Sequence, residues 1–444
     1  MLRSLYVTMV YIAFLIMGVA APFVLSLGYV WVDSFDPQDV ATQFLNQFPV
    51  SKVVGGAAIL SFLLLDRRKG GVSITSVLLA VFAVWITLST ALWAEVPVPA
   101  WIKWDYAVKT LCFAAFMPFV FRSRVQIEAF LQIYLFSVAL HFLPVGIKTL
   151  YSGGGYGMQL DIVTGNSLLA EGSTLASVAL MLVPIIVYLR RHSLILPRGR
   201  VTGLLYAGLA VVAVAAAIGT YERTALIGMV TVGIGLWLGT KRKLLFGSLG
   251  LAAMLGVATF TSDAWTDRIA TLRHFDTEGS ALGRILAWKW TLGYVADHPF
   301  GGGFNAYLIN TITFPPGPDG TSLVVHGKAY HSIYFEVLGE QGWVGLGLFG
   351  ALIATALIQL NRVSRRTRNL AGLAWAHDLA FALRVSLVTL LACGSFIGIA
   401  FQPMLYYVLT ISACLHQHLR CVERLATKPL VVPAADPWCS PEPA

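Results

Sequence analysis

Apolar residues dominate this chain in long runs, and polar residues gather in the gaps between them. A run of roughly twenty apolar residues can cross a bilayer as a helix. Twelve spans are predicted: Leu5–Val30, Val50–Leu65, Val72–Trp93, Tyr106–Phe121, Val125–Ile147, Thr174–Leu189, Val201–Gly219, Thr224–Gly239, Leu244–Phe260, Trp343–Leu360, Asp378–Phe401 and Met404–Leu419. The other way to cross a membrane, a closed barrel, would alternate polar and apolar residues, and these runs do not. The first run could pass for a signal peptide. It is too long for an apolar signal core, and Pro22 after Ala20-Ala21 blocks cleavage there, so it reads as a retained span.

One stretch breaks the pattern. From Thr261 to Tyr330 the chain is too polar for lipid, and the predicted loop runs on to Gly342. It holds Gly283-Arg284-Ile285-Leu286-Ala287-Trp288-Lys289-Trp290, then Asp297-His298-Pro299-Phe300 followed by Gly301, Gly302 and Gly303. It closes on His331-Ser332-Ile333-Tyr334-Phe335-Glu336 and Gly342-Trp343-Val344-Gly345. Elsewhere, Phe35, Val40, Phe44, Leu45 and Phe48 within Asp33–Pro49 have the spacing of a helix lying in the interface. The run Tyr151–Gly157 reads as a flexible turn. The tail, with Pro429, Pro433, Pro437, Pro441 and Pro443, reads as disordered. The organisation expected is one polytopic domain over 1–427, with its loop at 261–342, and a cytoplasmic tail over 428–444.

Composition agrees with this picture. The chain is 57% hydrophobic and 12% charged, against about 25% charged residues in an ordinary soluble domain. Of the 31 lysines and arginines, 20 fall on one side, at Arg3, Arg67-Arg68-Lys69, Arg122 and Arg124, Arg190-Arg191 with Arg198 and Arg200, Lys241-Arg242-Lys243, Arg362 to Arg368, and Arg420, Arg424 and Lys428. Positive connections stay in the cytoplasm, so both termini are expected inside and the long loop outside. Clusters between spans are topology signals, and nucleic acid is not expected as a partner. The 5 cysteines show no CxxC spacing, and neither a disulfide framework nor a metal ribbon is predicted.

His331 leads the candidates for chemistry. A histidine at the outer end of a helix exchanges protons near neutral pH and suits a general base. The plainer alternative is a satisfied interfacial histidine. Glu336 and Glu340, four residues apart, share one helical face. Arg223 follows Glu222 between two spans that almost touch in sequence. A charge at that boundary needs a partner or water, and a guanidinium fork matches phosphate oxygens. A snorkelling anchor is the alternative. Arg284, one turn before Trp288, is either a solvated loop arginine or a second phosphate ligand. Asn305, Lys328, Tyr330 and Lys289 are further candidate substrate contacts, as is Glu222. Asp161, Asn166 and Glu171 are weaker candidates to bond sugar hydroxyls. His274 and His298 are also outside, and His298 reads as structural. Gly301–Gly303 could admit a ligand close to backbone amides. His326 and His331 lie five apart with no carboxylate–histidine cluster, so no metal and no cofactor are expected.

The segment Glu222-Arg223-Thr224-Ala225-Leu226-Ile227-Gly228, Arg284 with Trp288, the Asp297–Gly303 run and His331 through Gly345 together resemble the signature of the O-antigen ligase and polymerase superfamily of Gram-negative bacteria. The resemblance covers about residues 220–350. Tyr221-Glu222 depart from it, since small residues are commoner before the arginine. The resemblance implies a GT-C-like, all-α integral membrane protein of the inner membrane with an active site in one large, helix-containing periplasmic loop. It implies an inverting, metal-independent glycosyltransferase whose donor is a glycan on undecaprenyl pyrophosphate and whose acceptor is a sugar hydroxyl of lipid A–core. Carried onto this chain, Arg223 and Arg284 would bind pyrophosphate and His331 would activate the acceptor. An O-antigen polymerase or a protein O-oligosaccharyltransferase is the alternative. A transporter would instead show repeats and mid-membrane charges, and few are present beyond Arg384 and Lys109.

Overall fold

The computed structural model describes residues 2–41, 45, 48–66, 71–152, 169, 171–240, 243–244, 279–316 and 322–426. The ninth expected span, Leu244–Phe260, lies outside them but for its first residue, as do Asp161, Asn166, His274, the start of the large loop and the tail from Lys428. The chain is an α-helical membrane protein. Among the described residues, 7 helices are long and apolar enough to cross a membrane, and Val50–Leu65 and Arg223–Gly239 are shorter apolar helices.

The helices are α1 (Leu2–Ala20), α2 (Pro22–Phe35), α3 (Pro37–Val40), α4 (Val50–Leu65), α5 (Ile74–Trp93), α6 (Pro97–Val120), α7 (Arg124–Ser152), α8 (Gly172–His192), α9 (Arg200–Gly219) and α10 (Arg223–Gly239). After the undescribed stretch come α11 (Gly279–Asp297), strands β1 (Thr311–Thr313) and β2 (Val324–His326), α12 (Ile333–Thr367), α13 (Ala374–Gly394) and α14 (Pro403–Ala426). Helix α8 is the centre of the bundle, 94% of its most apolar window being buried. It packs against α9, α10 and α13. Leucines and valines on α4, α5 and α9, such as Leu63 and Val201, stay exposed, as a lipid-facing surface requires.

Several expectations are corrected. The first span is two helices: Pro22 cannot donate an interior helix bond, and the chain reverses there. Phe14 stacks near Trp31 at 5.5 Å, and a Cβ at Gly18 would strike Leu25, contacts that only an antiparallel hairpin allows. Leu2 and Asp36 therefore lie at one end of the bundle, not at opposite ends as a single span would put them. The loop adds a β-hairpin to an otherwise helical fold, pairing Thr311 with His326, Ile312 with Val325 and Thr313 with Val324. The loop also ends sooner than Gly342. Helix α12 begins at Ile333 and is kinked at Gly342, whose φ of 66° and ψ of −167° leave the helical region. Likewise α13 ends at Gly394, short of the expected Phe401. Among the cysteines, Cys112, Cys393 and Cys414 are free, whereas Cys421 is disulfide-bonded, which the spacing does not predict.

Candidate active site

The glycine run of the loop is a packing device. Gly301 and Gly303 have φ of 79° and 71°, a region other residues enter at a cost. A Cβ at Gly301 would lie 2.6 Å from the Gly342 nitrogen, and one at Gly342 would lie 2.3 Å from the Pro299 oxygen. The two backbones are thus pressed together, and Trp343 and Gly302 donate N–H bonds to the carbonyls of Pro299 (3.0 Å) and Gly339 (3.1 Å). The kink turns carbonyls of α12 sideways, where Ser89 Oγ donates to Glu340 (3.3 Å) and the Trp85 indole to Gln341 (3.0 Å). Gly301 and Gly342 serve this seam.

His331 is reached from both sides by anchored backbone. Asn310, almost fully buried, receives the Lys328 N–H on Oδ1 and donates from Nδ2 to the Lys328 carbonyl, both at 2.8 Å. The Trp288 indole donates to the Tyr330 carbonyl at 2.8 Å, and its ring stacks on Phe335 at 5.0 Å and 4°. The intervening His331 has φ of 48°, a left-handed conformation that costs of order 1 kcal/mol in a non-glycine residue and recurs at functional sites. A Cβ at Gly283 would lie 3.0 Å from Lys328 Cε and 3.5 Å from its Nζ. The ammonium therefore runs alongside the residue preceding Arg284.

The electrostatics follow from that arrangement. Burial first, then the positive charges of Arg284 and Lys328, hold the His331 imidazole below its ordinary value of 6.5. A neutral imidazole at neutral pH accepts a proton, the state a general base needs. The structure brings Arg284, Lys328 and His331 into one electrostatic neighbourhood.

Arg223 begins α10, after Tyr221 at φ of 56° and Glu222 as the N-cap residue. Its neighbour Thr224 accepts a bond from Cys393 Sγ at 3.7 Å, and a Cβ at Gly394 would lie 2.7 Å from Ile333. Two consecutive residues at the end of α13 thus touch the residue after Arg223 and the residue two past His331. Glu222 turns the other way, its Cγ and Oε1 3.3 and 3.5 Å from a Cβ built at Gly172. There the start of α8 favours a carboxylate, and Glu171 Oε2 also accepts from Thr174 Oγ1 (2.7 Å).

The remaining candidates are placed as follows. Tyr330 is buried against Gly339, and burial holds its phenol proton well above the ordinary range. Asn305 donates its side-chain amide to the Pro99 carbonyl (3.0 Å) and its backbone N–H to Glu340 Oε1 (2.9 Å), a joint of the scaffold. Lys289 is exposed and lies off the Arg284–Trp288 face. His298 stacks on Tyr294 at 4.4 Å, and His326 meets Thr311 across the strands at 3.0 Å. Sequence reasoning missed Lys103, whose ammonium bridges Glu336 and Glu340. Two carboxylates one turn apart at a membrane boundary call for a cation, the signal that could have found it.

Residues 208–350 match the family described as O-Antigen ligase. The chain carries a domain of the O-antigen ligase family. Residues 2–194 match a separate family of unknown function. No curated protein matches the chain, and no solved structure does. The match supports glycan transfer as the activity of this ligase-family domain, which contains Arg223, Arg284, Lys328 and His331. Lys103, Trp85 and Ser89 belong to the other matched region, and the two meet along the first turns of α12.

Proposed function

We propose that this protein transfers a glycan from undecaprenyl pyrophosphate to a sugar hydroxyl of lipid A–core, at the periplasmic face of the inner membrane. The observation that carries this reading is the gathering of Arg284 and Lys328 beside a His331 kept neutral by them and by burial. In this reading His331 takes the proton of the acceptor hydroxyl as its oxygen attacks the anomeric carbon. The bond from that carbon to the pyrophosphate oxygen breaks on the opposite side, so the anomeric configuration inverts. Undecaprenyl pyrophosphate leaves with the bonding electrons, and its growing negative charge is met by Arg284, Arg223 and Lys328. Lys289, Tyr330, Asn305 and Glu222 are given no step in this reaction.

Reconstitution tests it. Purified protein is combined with lipid-linked glycan and lipid A–core, with EDTA present. Transfer onto the core is the expected outcome. Lengthening of the lipid-linked glycan without transfer to the core would assign an O-antigen polymerase instead, and uptake of solute into proteoliposomes would assign a transporter.

A further inference from the structure

A second charged constellation lies one turn beyond His331. Lys103 on α6 places its ammonium 2.7 Å from Glu336 Oε1 and 2.8 and 3.0 Å from the two oxygens of Glu340. Glu336 and Glu340 are 5% and 0% exposed. The carboxylates are otherwise satisfied by backbone: Ala400 donates to Glu336 Oε2 at 3.0 Å and Asn305 to Glu340 Oε1 at 2.9 Å. The rings of Phe304 and Phe401 lie 5.6 and 5.5 Å from the ammonium and complete its enclosure.

The start of α12 lacks the usual device for fixing its direction. Ser332 is the N-cap residue but makes no side-chain capping bond, although serine there normally holds the first turn. The first turn is held from its flank instead, by one ammonium gripping two carboxylates at i and i+4. A buried charge pair contributes little net stability, and its best-attested use is to specify one arrangement among alternatives. His331 sits directly before this turn, in a left-handed conformation that requires the segments on both sides to be fixed. Upstream, Asn310 and Trp288 do this; downstream, the candidate is Lys103.

We propose that Lys103 is a positioning residue: by binding Glu336 and Glu340 together it sets the tilt of the first two turns of α12 and thereby the place of His331. The proposal rests on the reading of His331 as the general base. It assigns the region of unknown function a part in the ligase-family site, as the support that aims the base.

The test reads His331 directly. The charges acting on its ring are Arg284 from α11 and Lys328 from the preceding loop, with Glu336 one turn along its own helix. Modification of His331 by diethyl pyrocarbonate, followed by mass spectrometry across pH on the full-length protein, gives the midpoint of its titration without any substrate. Lys103→Met should raise that midpoint toward the ordinary histidine value, as the ring moves into water and away from the two cations. It should also lower kcat for transfer by roughly 10–100-fold at unchanged donor KM, and Lys103→Arg should recover part of both. Glu336→Gln separates positioning from direct electrostatics and serves if Lys103→Met does not fold. Losing a nearby negative charge would by itself lower the midpoint, whereas loss of positioning raises it. A midpoint that stays in place in Lys103→Met, or falls in Glu336→Gln, overturns the proposal. If the variants show these His331 shifts while the wild-type protein transfers no lipid-linked glycan, the functional reading falls and the positioning role stands.

Discussion

Two charged groups lie within ten residues of each other at the start of α12, and they are built on opposite principles. Around Lys103 every carboxylate oxygen has a donor: one ammonium and two backbone N–H groups serve two carboxylates, sealed by aromatic rings. Around His331 the acting charges are both positive, and they press on an imidazole that is itself partly buried. A buried cluster whose polar atoms are all bonded within the protein is best suited to specifying one arrangement of the chain. Positive charge beside a neutral base suits the entry of an anionic group. The contrast separates the scaffold from the candidate chemistry without reference to any relative.

The comparison can be broken at four points. The largest effect is expected at His331: His331→Ala should reduce transfer by about 10²–10⁴-fold, with unchanged membrane expression and elution in detergent, and near-normal turnover would end its role as base. Next, Arg284→Ala should cost about 10²–10³-fold in kcat/KM, read as dependence on lipid-linked donor, with Arg223→Ala acting in the same direction. Insensitivity of both to donor concentration would remove the pyrophosphate role. Third, Lys103→Met should leave the buried carboxylates of Glu336 and Glu340 without their cation and cost about 3–5 kcal/mol, visible as a lowered midpoint of thermal unfolding in detergent; an unchanged midpoint would show the cluster to be better hydrated than its burial implies. The smallest effect concerns pH. The active form of His331 is the unprotonated one, and its value lies below 6.5, so kcat/KM should stay flat through neutrality and fall only on the acid side of the ordinary histidine range. Lys328→Met removes one of the depressing charges and should move that acid limb upward; a downward move would contradict the geometry.

Much of the fold was legible in the sequence, and the reasons for its failures are specific. Val50–Leu65 forms a helix with the predicted bounds, because hydropathy over one helix length is a local property. Leu5–Val30 failed because the same hydropathy is compatible with one helix or two, and only the contact of Phe14 with Trp31 distinguishes them. The early start of α6 follows from Pro97 at its first turn, a position that suits proline, and hydropathy does not register it. In the candidate site, His331 and Arg284 stood out by residue type and by their place in a polar loop. Asn310 did not, since an asparagine before a short strand reads as turn chemistry. Lys103 stood 233 and 237 residues from its partners, a separation across which spacing carries no information.

The sequence by itself determined that this chain crosses a membrane repeatedly, and where its chemistry-bearing residues are gathered, because the apolar length of a span and the polarity of a loop are decided residue by residue against their solvent. Tertiary structure alone decided that the chain turns back at Pro22, that Gly301 and Gly342 seal the loop to α12, and that Lys103 is paired while His331 is pressed by two cations. Those outcomes depend on distances between segments remote in sequence, and electrostatic energy in a poorly hydrated interior is governed by such distances.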